Sequence, residues 1–245
     1  MSNLPSMGSI SDEDLIVIYD GGVMVENETI VGVGKFHEIK KHCNNIHEID
    51  FPCVLLPGFI DCHTHICYAG SRSIEYSKKN AGISYQKILS EGGGIYDTME
   101  KTRLASDEEL IKNTISRLER HFFEGVLTCE IKSGYGIDFD QEIRLLKIIN
   151  EINLNHPSDV IPTCLAAHVP PNDSKTSPEE YLKLIVKELF PILRKENLTN
   201  RIDIFVENSA FKKKESKSYL KFAKENDFDV TVHANQFTSG GLHVG

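Results

Sequence analysis

The chain has 245 residues, enough for one large domain or one domain plus a small appendage. With 40% hydrophobic residues a sizeable core is available, and a formal charge of −9 argues against nucleic acid or an anionic membrane as partner. The six cysteines show no CxxC pair, the N-terminus lacks the basic and apolar parts of a signal peptide, and no apolar run approaches ~18 residues; a soluble cytoplasmic protein with reduced thiols is expected.

Residues 1 to about 13 are polar and expected to be loose. From Leu15 to Gly34 the pattern predicts short strands, LIVIYD, VMV and IVGVG, with turns at Gly21-Gly22 and Glu26-Asn27. Ile46 to Val54 is expected to return to this small β unit, giving a first domain at 1–53 and a second at 54–245. Val54 then opens an apolar run that ends in Asp61, His63 and His65. Residues two apart on a strand share a face, so these three side chains are expected on one side, with Cys62 and Thr64 on the other. Two imidazoles on one face make half of a metal site, since zinc and its neighbours favour imidazole nitrogen. The plainer reading is a pair of histidines capping a strand beside a hydrogen-bonding Asp.

The long connection from Ala69 to Arg103 carries a short helical piece at Tyr85 to Leu89 and the triplet Gly92-Gly93-Gly94. No GK[ST] follows the glycines, so they read as a loop near a ligand rather than a phosphate cradle. Ser106, with Glu109 three residues on, predicts a helix start ahead of Leu110, Ile111, Ile115, Leu118 and Phe122. Further along, strands are predicted at Val126–Ile131, Val160–Ala167, Ile202–Val206 and Val230–Val232. Helices are predicted at Asp140–Ile152, from Ser177 onward and at Lys214–Glu225. Pro178 suits a first helical turn, and Pro191 is expected to kink or end the same helix.

About five strands joined by helices argue an α/β fold with a parallel sheet. The polar residues fall at the strand ends: His63 and His65, Lys132 to Tyr135, His168, Glu207 and His233. That layout predicts a partial (β/α)₈ barrel rather than a doubly wound sheet, whose ligands would gather at one switch point. His233 is the natural third metal ligand, or else a strand-end histidine bonded to backbone. Arg72 matches a carboxylate with its fork, or else makes a surface ion pair. Tyr135 offers a phenol in a tight SGYG turn, or else a core tyrosine. His168 is the candidate catalytic residue, able to donate to an oxyanion or hold a ring carbonyl. Lys132 reads as structural.

The run PGFIDCHTH resembles the first-strand signature of the amidohydrolase superfamily. AGSR, EGGGI, EIKSGYG, LAAH, DIFVEN and VHANQ, in this order, resemble the imidazolonepropionase family in particular, from about residue 15 onward. The resemblance implies a β-sandwich around a (β/α)₈ barrel, one divalent zinc or iron ion, and a homodimer. It implies His63, His65 and His233 as metal ligands, Arg72, Tyr135 and His168 as holders of an imidazolone-propionate, and Gln236 as a further contact to the ring. The implied reaction opens the imidazolone ring by hydrolysis. The family also carries a histidine after its sixth strand and a metal-binding, proton-shuttling Asp after its eighth. Neither has a match here, so the 245-residue chain is expected to be an N-terminal portion, inactive alone. Another cyclic amidohydrolase or deaminase, and a non-catalytic fragment, are the competing readings.

Overall fold

In a computed structural model, residues 11–14, 16–84, 87–88, 91–171 and 176–238 are described. The chain divides into two compact units, Met1–Pro57 and Gly58–Gly245. The boundary thus falls a few residues past the 53/54 position expected from the sequence.

In the first unit, β1 (Gly21–Glu26) pairs antiparallel with β2 (Thr29–Lys35), followed by the short helix α1 (Phe36–Ile39). Asn27 and Glu28 turn the hairpin with φ of 47° and 63°, the left-handed pair that matches strand twist. Gly21 and Gly22, expected as a turn, instead lie in β1 opposite Lys35 and Gly34. The actual bend is at Tyr19 and Asp20, where Asp20 takes φ 50°. Ile16–Ile18 and 46–54 are not strands: apolar β-branched content alone supplies no pairing partner. Leu15 lies outside the described residues, as do Tyr85, Gln86 and Leu89 of the helical piece expected there.

The second unit is a curled parallel sheet of five strands in the order β3 (Phe59–Thr64), β4 (Val126–Lys132), β5 (Asp159–Ala167), β6 (Arg201–Val206) and β7 (Asp229–Ala234). Between β3 and β4 come α2 (Ser73–Asn80), α3 (Ile95–Leu104) and α4 (Asp107–Phe123). Helix α5 (Phe139–Asn155) precedes β5, and α8 (Lys213–Glu225) precedes β7. Between β5 and β6, α6 (Pro178–Leu184) runs through a π turn at Ile185–Leu189 into α7 (Phe190–Lys195). The helix therefore neither ends nor breaks at Pro191. Widening the turn before it makes room for the ring against the carbonyl four residues back, and the missing N–H falls in a first turn.

The caps are local chemistry. Ser106 accepts from the Glu109 amide and Ser177 forms a full capping box with Glu180. On the strands, alternate residues part company. Cys129, Ile131, Ile202 and Ile204 join the core clusters with the helices, whereas Glu130, Lys132 and Asp203 point the other way. The sheet thus has an apolar outer face and a charged inner one.

Helix α5 offers a direct check on this layering. Ile149 is wholly buried, while Leu154 is 84% exposed. Ile149→Ala should cost about 2–5 kcal/mol in urea unfolding, and Leu154→Ala should stay within about 0.5 kcal/mol of the parent. Equal costs would show that the helix does not bury the face described.

Candidate active site

Strand β3 does not alternate as a plain strand would. Its register shifts between Asp61, opposite Cys129, and Thr64, opposite Ile131, so three residues on β3 match two on β4. The bulge separates Asp61 from the histidines. Asp61 faces His121 of α4 at 3.7 Å, and Thr64 is buried with its hydroxyl on the Glu130 carbonyl at 2.6 Å. The expected common face of Asp61, His63 and His65 is therefore not found. His63 turns instead toward His65, ring centres 5.3 Å apart, and toward His233 of β7, 5.1 Å away. His63 and His233 come from opposite edges of the sheet, so curling alone brings them together.

His168, directly after β5, lies 5.3 Å from His65, and Tyr135, after β4, lies 5.7 Å from His168 and 6.1 Å from His65. Phe205 of β6 closes the group against His233 and His168. Four imidazoles and a phenol thus gather at the carboxyl ends of the strands. Arg72 stands at the start of α2, where its Nε donates to Thr98 at 2.9 Å and lies 3.9 Å from Glu75. Gln236 is exposed, in a loop that Glu207 pins by accepting from the Phe237 amide at 2.8 Å, the Thr238 amide and the Thr238 hydroxyl. Those bonds hold the Glu207 carboxyl down at about 2. Glu207, one of the polar residues at the strand ends, is thus a fixed acceptor for a loop.

Burial favours the neutral form of His63, His65 and His168. Desolvation, with His168 next in weight, drops His65 to about 3. Desolvation also drops His168 to about 4, against the opposing hydrogen bond to Gly134. His63 is lowered by burial first and then by Lys132. The Gly134 carbonyl can only accept, so the 2.8 Å contact makes His168 Nδ1 the protonated nitrogen. Its Nε2 then carries a lone pair, and donation to an oxyanion would require the ring to take up a proton.

Beneath the histidines lies a charged layer. Lys132, fully buried, places Nζ 2.7 Å from Glu130 and 2.8 Å from Asp203. Thr163 of β5 donates to the other Glu130 oxygen at 2.6 Å. Two further groups escaped the sequence reading. Arg117 of α4 donates to the carbonyls of Ile66 and Tyr68, each at 2.7 Å, and stacks on the Tyr68 ring, fixing the loop after His65. Glu142 of α5 is buried against the SGYG turn. Both sit on the apolar faces of amphipathic helices, in line with Leu110, Thr114 and Leu118 or with Leu145, Leu146 and Ile149. A charge on such a face is the signal that finds them.

Neutral imidazoles suit a divalent cation, and His65 Nδ1 is buried with no hydrogen-bond partner. Donor type and protonation state therefore fit a metal ion. Among the described residues, however, no group of three or more His, Cys, Asp or Glu side chains is arranged to hold one as it stands.

Comparison with known proteins gives curated relatives. Imidazolonepropionases from three serotypes of Streptococcus pyogenes are 42% identical to this chain over 192 residues. The chain is homologous to the imidazolonepropionases. The match covers 78% of this chain and 46% of each relative, so the chain spans about half the length of those enzymes. No family model matches. Among the described residues no helix is long and apolar enough to cross a membrane.

Two measurements test the electrostatics of this cluster. Lys132→Met leaves two buried carboxylates uncompensated and should cost about 3–5 kcal/mol in urea unfolding, whereas Lys183→Met, which removes only the exposed pair with Glu179, should leave the transition nearly unchanged. For His168, the folded value near 4 lies below the unfolded 6.5, so the unfolded state binds more protons in between. Its contribution is complete above pH 6.5 and lost as pH falls toward 4. His168→Gln should flatten the urea-stability profile across that window; an unchanged slope would contradict the buried neutral ring.

Proposed function

We propose that this chain carries the metal-ligand and substrate-holding side of an imidazolonepropionase site, built on part of a (β/α)₈ barrel. The reaction is hydrolysis of 4-imidazolone-5-propanoate to N-formimidoyl-L-glutamate. The observation that carries the reading is the meeting of His63, His65, His168, His233 and Tyr135 at the carboxyl ends of parallel strands. A small-molecule substrate, a cytoplasmic setting and a homodimer complete the proposal.

His63, His65 and His233 would hold one divalent ion, zinc or iron, which supplies an activated water and polarises the ring carbonyl when bound. The chain's own groups then orient the substrate. Arg72 and Tyr135 receive the propionate carboxylate, the arginine as a charge-assisted donor and the tyrosine through its hydroxyl. His168 presents Nε2 to the ring: neutral, it accepts a ring N–H, and protonated, it donates to the carbonyl oxygen. Gln236 lies on the loop anchored by Glu207, within the same face. The oxygen of water adds to the carbonyl carbon, the adjacent ring C–N bond breaks with one water proton passing to the freed nitrogen, and the second proton moves from the new carboxyl group to the amidine, leaving a carboxylate. The carboxylates that this chain brings near the imidazoles are committed: Glu130 and Asp203 to Lys132, Glu207 to its loop. No residue described here is assigned the base that deprotonates the water.

The test is made on the product of the complete reading frame, with the 245-residue chain assayed beside it. Turnover of the imidazolone should disappear with a chelator and return with zinc or iron. Arg72→Ala should lower kcat/KM by about 10- to 150-fold, matching about 1.5–3 kcal/mol for a hydrogen bond to a charged group. Arg72→Lys should restore only part of it, because a point charge cannot pair bidentately. Unaltered kcat/KM in Arg72→Ala removes Arg72 from the site, and turnover of a deaminase substrate instead removes the proposed reaction.

A further inference from the structure

In the turn from Ser133 to Ile137 one side chain takes three of the backbone amides. Glu142, wholly buried on α5, accepts from the amides of Gly134 at 2.9 Å, Gly136 at 2.7 Å and Ile137 at 3.1 Å. Three N–H groups aimed at one carboxylate make an anion nest closed by the protein's own side chain. Three of its carbonyls are held from outside the turn. The Gly134 carbonyl receives His168, the Gly136 carbonyl receives Arg103 Nε at 2.9 Å, and the Ile137 carbonyl receives the Tyr181 hydroxyl.

The backbone shape is expensive without that carboxylate. Ile137, β-branched, sits at φ +67°, and Gly134 at φ +99°. A non-glycine residue in this region is strained and persists only where its surroundings over-determine it. A Cβ on Gly136 would lie 2.7 Å from the Glu142 carboxylate oxygen and 2.7 Å from its amide nitrogen, so the turn is pressed directly onto Glu142. The Gly134 peptide is the shared element: its N–H ends on Glu142 and its carbonyl on His168. Tyr135 is the next residue along.

We propose that Glu142 is a positioning residue for this site, setting Tyr135 through the turn backbone and fixing the His168 tautomer through the Gly134 peptide. The inference rests on the reading of Tyr135 and His168 as substrate-holding groups, for a ring that bears a carboxylate. Glu142 touches no substrate. Its replacement acts by letting the Gly134 peptide rotate, which withdraws the acceptor from His168 Nδ1–H and swings the phenol.

The experiment uses the product of the complete reading frame and Glu142→Gln, which keeps the shape but presents an NH₂ to amide donors. Selective ¹⁵N-histidine spectra should show His168 as a single Nδ1–H tautomer in the parent and as a mixture in Glu142→Gln; His168→Gln assigns the signals. Affinity for imidazole-4-propionate relative to 4-methylimidazole should fall about tenfold, the worth of one hydrogen bond to a charged group. Tyr135→Phe should lose a similar factor, and the double variant no more than either single one, since both act through one contact. Losses that multiply, or a folded Glu142→Gln with the parent His168 spectrum, would overturn the proposal. Should Glu142→Gln fail to fold, Gly136→Ala keeps the carboxylate but pushes the turn off it, and must produce the same two changes. The tautomer readout uses no substrate, so a parent that fails to open the imidazolone refutes the proposed function and leaves this inference to be judged on the spectra.

Discussion

The buried cluster of Lys132, Glu130 and Asp203 is the constraint on which the rest of the second unit depends. Removing an ammonium and two carboxylates from water costs several kcal/mol per ion, and only close, complete pairing recovers it. Here pairing requires three strands at once. Glu130 and Lys132 must share a face of β4, Thr163 of β5 must reach the second Glu130 oxygen, and Asp203 of β6 must meet Lys132 from the far side. A slip of one residue in any strand would turn its polar group into the helix layer among Cys129, Ile131, Ile202 and Ile204. Apolar runs in parallel strands specify register weakly, whereas this cluster tolerates one register only. Register in turn decides where each strand ends, and so where Tyr135, His168 and Glu207 emerge.

What the sequence made legible follows from how local each cause is. The helix starts at Ser106 and Ser177, the five strands and the polar residues at their ends depend on periodicity and capping within a few residues. Ile16–Ile18 and 46–54 have the composition of strands, but a strand also needs a neighbour, and that lies outside any window. Asp61 shows the same limit at a finer scale. Alternation puts it with His63 and His65, yet one bulge against β4 hands it to His121 on the helix side. Pro191 was legible as a disturbance, though its accommodation by a π turn depends on how α6 and α7 pack through Leu189, Phe190 and Leu193. Of the proposed site, the imidazoles were legible because they end strands. Arg117 and Glu142 were not, because each lies on a helix and acts on a loop earlier in the chain, Arg117 on the stretch after His65 and Glu142 on the turn just before its own helix.

The site has a definite polarity once these commitments are counted. Burial favours the neutral form of His63, His65 and His168, so these rings offer lone pairs rather than charge. The layer beneath carries one ammonium against two carboxylates, a formal charge of −1, and His63 feels Asp203 and Glu130 as well as Lys132. Toward the rim the sign reverses, since the Arg72 guanidinium acts on His168 as a nearby positive charge. A floor of lone pairs over net negative charge favours a cation at the centre, and in low dielectric such a preference is strong. An arginine at the rim favours an anion there. A guest that satisfies both ends has an electron-poor centre next to a positive ion and a carboxylate tail reaching outward. Acidic side chains near the imidazoles and the rim arginine, Glu130, Asp203, Glu142, Glu207 and Glu75, are each tied to a cation or to backbone amides. Holding carboxylates away from the guest is therefore as much a part of the proposed chemistry as supplying imidazoles to it.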